Sequence, residues 1–238
     1  MNILSGCTHL RFNSIINHAS FAKIFNYKYK FDGEKRNLLS VYDHKILSIL
    51  ELPIDNEWWF WIDDDAFFTN FRKPFSSLNL NFDQKIMIFP KSPINLSGGW
   101  TFLSSGNFFF KNNNELKKFF RKVLDRNIEE VKKWWSHDKY GIFTKGDQDR
   151  IVYELMNNED IMSKTSIVNY EIFNTRPYHF KKIDDHFLVH FAGVGPKPEA
   201  IQKFQHDFGF SDTALIPSRY EDIIKQIKAS ISKKLNTK

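Results

Sequence analysis

The sequence predicts an α/β fold: a single domain on a Rossmann-like, mostly parallel central sheet flanked by helices. Three observations carry this. The run Trp58-Trp59-Phe60-Trp61-Ile62 is short, aromatic and apolar, as expected of a strand buried on both faces. Asp63, Asp64 and Asp65 follow at once, beyond the carboxyl end of such a strand, where open α/β sheets place their ligands. Elsewhere strand-like runs alternate with helical patterns, the order of a parallel sheet.

The elements follow in order. Residues 1–8 read as a first strand entering a small-residue loop, suited to close approach of backbone N–H groups to a nucleotide and equally to a plain strand-to-helix turn. Residues 13–25 read as a helix with Ile15, Ile16, Phe21 and Ile24 at helical spacing, and 26–31 as a second strand. Residues 44–52 form a further helix with Ile46, Ile49 and Leu50 on one face, closed by Pro53. After the acids come an aromatic loop at 67–75, a strand at 85–89, and a Pro-, Ser- and Gly-rich loop at 90–100 carrying Trp100. Residues 101–110 are two apolar runs around Ser104-Ser105-Gly106-Asn107. The longest helical pattern spans 114–135, with an apolar stripe through Leu116, Phe119, Phe120, Val123, Leu124 and Ile128. Gly146-Asp147-Gln148-Asp149 precedes a helix at 151–156, a pattern in which polar residues cap a helix and project into a cleft. Late strands are expected at 167–173 and 187–191, and Gly193, Gly195, Pro196 and Pro198 then break the chain. Residues 1–212 are expected to form the main domain. The remainder, 213–238, is expected to be a basic amphipathic helix and tail, with Ile223, Ile224, Ile227, Ile231 and Leu235 opposed by Lys225, Lys228, Lys233 and Lys234. Such a helix suits a membrane surface or packing on the domain.

Composition narrows the function classes. At 238 residues, 42% hydrophobic and 26% charged, the chain has the balance of a soluble globular protein with a sizeable core. A net charge of +6 and pI near 9.2 favour anionic partners such as nucleotides, acidic glycans or anionic lipid. No zinc spacing or nucleic-acid motif is present. Cys7 is alone, which excludes a disulfide within the chain and agrees with a reducing compartment. As a thiol it is either a nucleophile or a small core residue. No run approaches the roughly 20 apolar residues that span a bilayer, and no secretory signal opens the chain. The sequon Asn95-Leu96-Ser97 is therefore not expected to be used.

The acids are the chemical feature. In extended chain Asp63 and Asp65 point to one side and Asp64 to the other. Two hard oxygen donors on one face suit Mg²⁺ or Mn²⁺, which would neutralise a diphosphate. Three adjacent acids repel one another and call for a cation or a basic partner. Asp after a strand also serves plain Asx turns, and acidic runs occur on solvated turns, so the stretch alone leaves both readings open.

Taken together, the segments resemble a nucleotide-sugar glycosyltransferase of the GT-A type, in the family of the yeast alpha-1,2-galactosyltransferase and mannan-polymerase subunits that also includes plant xylosyltransferases. Over residues 1–200 the matching segments are NHASFAKIFNY (17–27), WIDDDAFFTN (61–70), SSGNFFFKN (104–112), DQDRIVYEL (147–155) and HFAG (190–193), in the family's order. The resemblance implies that Asp63 and Asp65 hold Mn²⁺ (or Mg²⁺) with the donor diphosphate, and that His190 is the third protein ligand. It places Ser5, Gly6 and Thr8 around the nucleoside, Asp64 and Gly193 beside the nucleotide, and Gly106, Asp147 and Gln148 near the donor sugar, the last two as catalytic residues acting by positioning and electrostatics. Lys197 resembles a diphosphate-binding lysine, with one extra residue in the spacing after His190. It further implies a UDP-sugar of the UDP-galactose type as donor, a glycan or lipid-linked glycan as acceptor, and retention at the anomeric centre. Ser104-Ser105, Phe21 and Asn26 depart from the family pattern. The chain begins at the first strand, without the family's Golgi anchor, so a cytoplasmic enzyme attached peripherally through its C-terminal helix is expected. The rivals are a haloacid-dehalogenase-like phosphohydrolase, whose motif sits at its first strand, and a non-catalytic glycan-binding protein on the same fold. Trp100, Trp134 and Trp135 are either acceptor-stacking or buried residues.

Overall fold

A computed structural model describes residues 1–36, 38 and 40–235, the last five by backbone alone. The side chains of Ile231, Lys233, Lys234 and Leu235 and the tail 236–238 lie outside the described residues. The elements run β1 (Asn2–Gly6), α1 (Ser14–Ile24), β2 (Lys28–Asp32), α2 (Asp43–Leu50), β3 (Trp58–Ile62), β4 (Ala66–Phe68), β5 (Met87–Pro90), β6 (Asn107–Lys111) and α3 (Asn114–Asp125). They continue α4 (Ile128–Trp134), α5 (His137–Tyr140), α6 (Asp147–Met156), α7 (Glu159–Ser163), β7 (Thr165–Val168), α8 (Tyr170–Phe173), β8 (Leu188–His190), α9 (Lys197–Asp207) and α10 (Glu221–Leu235).

Six strands form one sheet in the order β2-β1-β3-β6-β5-β7. The pairs β1–β2, β1–β3 and β5–β7 are parallel, and β6 alone runs against both of its neighbours. Strand alternation sorts the aromatic runs onto two faces. Leu4, Trp61, Phe108 and Phe110 face a core built with Ile46 and Ile49 of α2, Leu116 and Phe120 of α3, and Ile151 of α6. Ile3, Phe60, Ile62 and Phe109 face the opposite way, onto Phe21 of α1, Phe68, Phe75 and Phe173. Each such side chain contributes about 1.5–3 kcal/mol on full burial, so the phenylalanine-rich composition is what fills the second face. A two-stranded antiparallel sheet, β4–β8, sits apart from the main one. It covers a third cluster with Ile201 and Phe204 of α9.

Several expectations are corrected. The 67–75 segment is not all loop: its first residues are β4, and Phe67, Phe68, Phe71 and Phe75 are buried. The 114–135 pattern is two helices, because the chain leaves helical geometry at Arg126 and Asn127, and Asn127 caps α4 by accepting from Glu129 N at 2.8 Å. The expected strand 167–173 ends at Val168. Asn169 then caps α8, accepting from Glu171 N at 3.2 Å. The prolines at 196 and 198 open α9 rather than ending structure, since the first turn of a helix has no use for their missing N–H. α10 lays Ile224 and Ile227 against the domain, and Lys23 of α1 donates to its Gln226. No described helix is long and apolar enough to cross a membrane.

Candidate functional site

Two strand registers assemble the site. β3 ends at Ile62, and the three acids turn rather than continue extended, with Ala66 N donating to Asp63 O at 3.2 Å. The turn still separates them as strand alternation predicted. Asp63 and Asp65 go to one side, while Asp64 meets Arg11, whose Nη2 lies 3.0 Å from both carboxylate oxygens. Antiparallel pairing of β4 with β8 sets Ala66 opposite His190, and Phe191 N donates to Asp65 O at 2.9 Å. Antiparallel pairing of β3 with β6 brings Gly106 to the same point, its carbonyl accepting from Asp63 N at 2.8 Å. A Cβ on Gly106 would lie 2.2 Å from His190 Cε1 and 3.1 Å from Asp63 Oδ2, so only glycine lets the imidazole close on the aspartates. One ligand atom each from Asp63, Asp65 and His190 then falls within 4.8 Å of the others.

The electrostatics fit a cation between them. Burial pushes the Asp65 carboxyl upward, but His190 and Lys197 outweigh it and hold it well below the usual carboxylate range. Lys197 Nζ stands 2.5 Å from Asp65 Oδ2, and His190 Nε2 is 3.2 Å from Oδ1. Asp63 keeps 28% of its side chain open to the cleft. Its desolvation nevertheless pushes it up to about 7, against Lys45 and with Asp65 and Asp147 adding their repulsion. Burial, then Arg176, lowers His190 to about 4, so the imidazole is neutral at ordinary pH, as a ligand must be. Its Nδ1 lies 2.8 Å from Asn174 Oδ1, and Asn174 is itself anchored by donating to Lys91 O at 3.1 Å. A cation between the acids would need the Nε2 lone pair toward it, and so the ring proton on Nδ1, facing Asn174 Oδ1. Without one, Nδ1 accepts from Arg176 Nη1 at 2.8 Å and Nε2 donates to Asp65 Oδ1 at 3.2 Å. Two carboxylate oxygens and one imidazole nitrogen are a donor set suited to a divalent cation of the Mg²⁺ or Mn²⁺ type.

Opposite Gly106 stands the start of α6. Gly146, not an aspartate, is its N-cap residue, and Asp147 and Gln148 lie within the first turn. Gln148 Oε1 accepts from Ser105 N at 3.2 Å. Asp149 serves the loop instead, accepting from Thr144 N at 2.8 Å and Lys145 N at 2.6 Å. Lys45, which sequence reasoning passed over, joins the two sides: its buried Nζ contacts Asp147 at 3.0 Å, Asp63 at 3.3 Å and Ser105 O at 2.8 Å. Its one sequence signal is its place four residues before Ile49, on the inward side of α2. Asn174 and Arg176 were missed too, in a stretch with no periodic pattern.

The acids stand between two clefts. The larger, about 380 Å³, is lined by Gly106, Asp147, Gln148, His190, Gly193 and Lys197, with Trp100 at 36% exposure. The smaller, about 180 Å³, is lined by Gly6, Thr8, Arg11, Tyr42 and Asp64. Tyr42, Lys45, Asp63, Asp65, Asp147 and Lys197 border both. Ser5 is not brought in: it is buried in β1, its hydroxyl 2.8 Å from that of Tyr29. Cys7 borders the smaller cleft, but burial and then Asp64 push its thiol up to about 11, which keeps it protonated and unreactive at neutral pH. Trp134 and Trp135 pack with Tyr140 and line neither cleft.

No protein-family model and no curated protein matches the sequence. Solved structures do. A glycosyltransferase involved in glycosylation of the major capsid of PBCV-1 superposes with a TM-score of 0.59 at 16% identity, over 86% of this chain and 98% of that one. The glycosyltransferase GlyE of Streptococcus pneumoniae TIGR4 superposes with a TM-score of 0.52 at 10% identity, over 96% of this chain and 64% of that one. At such identities the likeness is one of architecture, and the chain has the GT-A fold.

Proposed function

We propose that the protein is a metal-dependent glycosyltransferase that moves a hexose or pentose from a UDP-sugar to a glycan acceptor, with retention. The observation that carries this is the convergence of Asp63, Asp65 and His190 at the boundary between two clefts, with Lys197 on Asp65. In this reading the smaller cleft takes the nucleoside, against Gly6 and Thr8 and beside Asp64. The diphosphate lies along the acids, and the sugar enters the larger cleft.

Breaking the anomeric C–O bond leaves negative charge on the nucleoside diphosphate while positive charge builds on the sugar. A divalent cation, Mn²⁺ or Mg²⁺, held by Asp63, Asp65 and His190 supplies Lewis-acid neutralisation of the leaving group when bound. Lys197, which pairs with Asp65 beside the acids, would add a second positive charge for the same oxygens. Asp147 and Gln148, fixed by Lys45 and by Ser105 N, orient the sugar and offset its developing charge. Retention rests on the family resemblance alone.

Thermal shift with UDP-, GDP- and CMP-sugars, each with Mn²⁺ or EDTA, tests this. One nucleotide class is expected to raise the melting temperature by about 5–10 °C at a hundredfold excess over Kd. The rise should need Mn²⁺ and should vanish in Asp65→Asn. No shift with any nucleotide under either condition would overturn the assignment. Binding without transfer or donor hydrolysis would select the non-catalytic reading, and release of phosphate from simple monoesters the phosphohydrolase.

A further inference from the structure

The larger cleft contains a cation that the acids do not account for. Arg176 is only 7% exposed and lines the larger cleft but not the smaller. The other cations at the two clefts have carboxylate partners: Lys45 has Asp63 and Asp147, Lys197 has Asp65, and Arg11 has Asp64. Among the described residues none stands within ion-pair distance of Arg176. Its Nη1 reaches only neutral groups, Asn174 Oδ1 at 3.1 Å and His190 Nδ1 at 2.8 Å.

That arrangement is incomplete in two ways. A buried guanidinium is costly unless an opposite charge and hydrogen bonds replace its water, and two neutral acceptors at one nitrogen leave most of its five N–H donors unused. One of those acceptors is also conditional. When His190 presents the Nε2 lone pair to Asp63 and Asp65, its proton is on Nδ1, and Nη1 then faces an N–H instead of a lone pair. A dication held by those acids would also offset their attraction for Arg176. The planar fork of a guanidinium matches a carboxylate or phosphate, with two parallel hydrogen bonds.

We infer that Arg176 is a specificity residue that binds an anionic group, a carboxylate or a phosphate, on the sugar occupying the larger cleft. This rests on the glycosyltransferase reading and narrows its substrate class. The anion belongs either to a uronate donor sugar or to an acidic or phosphorylated acceptor, which the same chemistry would recognise.

Calorimetric titration of the full chain separates these. In the donor arm, UDP-glucuronate is compared with UDP-glucose in the presence of Mn²⁺. In the acceptor arm, glucuronate and glucose 6-phosphate are compared with glucose on protein already loaded with Mn²⁺ and UDP. Each is repeated with Arg176→Gln and Arg176→Lys. The readout is the ratio of anionic to neutral affinity, since damage relayed through His190 would weaken both ligands alike. In one arm the wild-type ratio is expected to be about tenfold or more, as for a hydrogen bond to a charged group. It should fall to near one in Arg176→Gln and recover in part in Arg176→Lys. A wild-type ratio near one in both arms, or the same ratio in Arg176→Gln, overturns the inference. Failure of the glycosyltransferase reading looks different: UDP with Mn²⁺ would not bind the wild-type protein at all, and the inference would fall with it.

Discussion

At the scale of single residues, the site depends on the absence of a side chain. Gly106 has an ordinary negative φ, so backbone strain is not what requires glycine there. What requires it is His190, whose Cε1 and Nε2 would lie 2.2 Å and 2.9 Å from an added Cβ. The ring cannot retreat freely, because its Nδ1 is held at its far edge, by Asn174 Oδ1 when it carries the proton and by Arg176 Nη1 when it does not. Gly106→Ala is therefore expected to turn the imidazole off the aspartates. Mn²⁺ affinity, measured by the free-Mn²⁺ electron paramagnetic resonance signal, should drop about tenfold or more, since ligand and supporting positions typically carry effects of that size. The overpacking itself costs about 1–3 kcal/mol, so the variant should still fold and melt cooperatively at a somewhat lower temperature. Unchanged Mn²⁺ affinity in a folded Gly106→Ala protein would mean that His190 is not a ligand. The importance of Gly106 was visible in the sequence only through the resemblance; the steric reason needed the registers that bring two strands and a histidine together.

At the scale of elements, α1 shows where pattern reading stops. Its expected apolar stripe leaves Ile15, Ile16 and Ile24 only partly buried, while Ser14, Asn17, His18 and Ser20 go inside with Phe21. The cause is β4, which among the described residues has one strand partner, β8. Asn17 acts as a substitute strand at its open edge, accepting from Phe68 N at 2.8 Å and donating to Phe68 O at 3.0 Å and Ala214 O at 2.8 Å. Asn17→Leu keeps the volume but strands these buried groups. It should lower unfolding free energy by about 2–4 kcal/mol in urea titration, through unmet hydrogen bonds. A loss under about 1 kcal/mol would show that β4 does not need α1. The same physics explains what could be read in advance. Aromatic strands such as β3 and β6, and the acids after β3, announce themselves through composition and order. Lys45, Asn174 and Arg176 have no such signature, because a buried polar residue is defined by a partner distant in sequence. The continuous stripe over 114–135 hid the break at Asn127 because apolar spacing can stay in phase while the backbone does not.

At the scale of the whole molecule, β4 is the joint between the main sheet and the β4–β8 layer that delivers His190, and His18 of α1 is buried against it. His18 Nε2 donates to Ala66 O at 2.8 Å, and the rings of Phe68 and Tyr29 stand edge-on to the imidazole. Burial lowers His18 to about 4 against the small opposing effect of the bond to Ala66 O, and among the described residues no charged group adds to the shift. In the unfolded chain a histidine titrates near 6.5. Above that pH both states hold the ring neutral, and His18 adds no pH dependence. As pH falls from about 6.5 toward 4 the unfolded chain takes up a proton that the folded one refuses, so stability declines; below about 4 both are protonated and the decline stops. Between pH 7.5 and pH 4.5 this linkage amounts to about 2.5 kcal/mol. Urea titrations of wild type and His18→Gln at the two pH values isolate it, because every other titrating group is common to both proteins. The wild type is expected to lose about 2 kcal/mol more than the variant on acidification. Equal losses would mean that the imidazole can be protonated in place, and that the joint between the sheet and the layer carrying His190 is open to water.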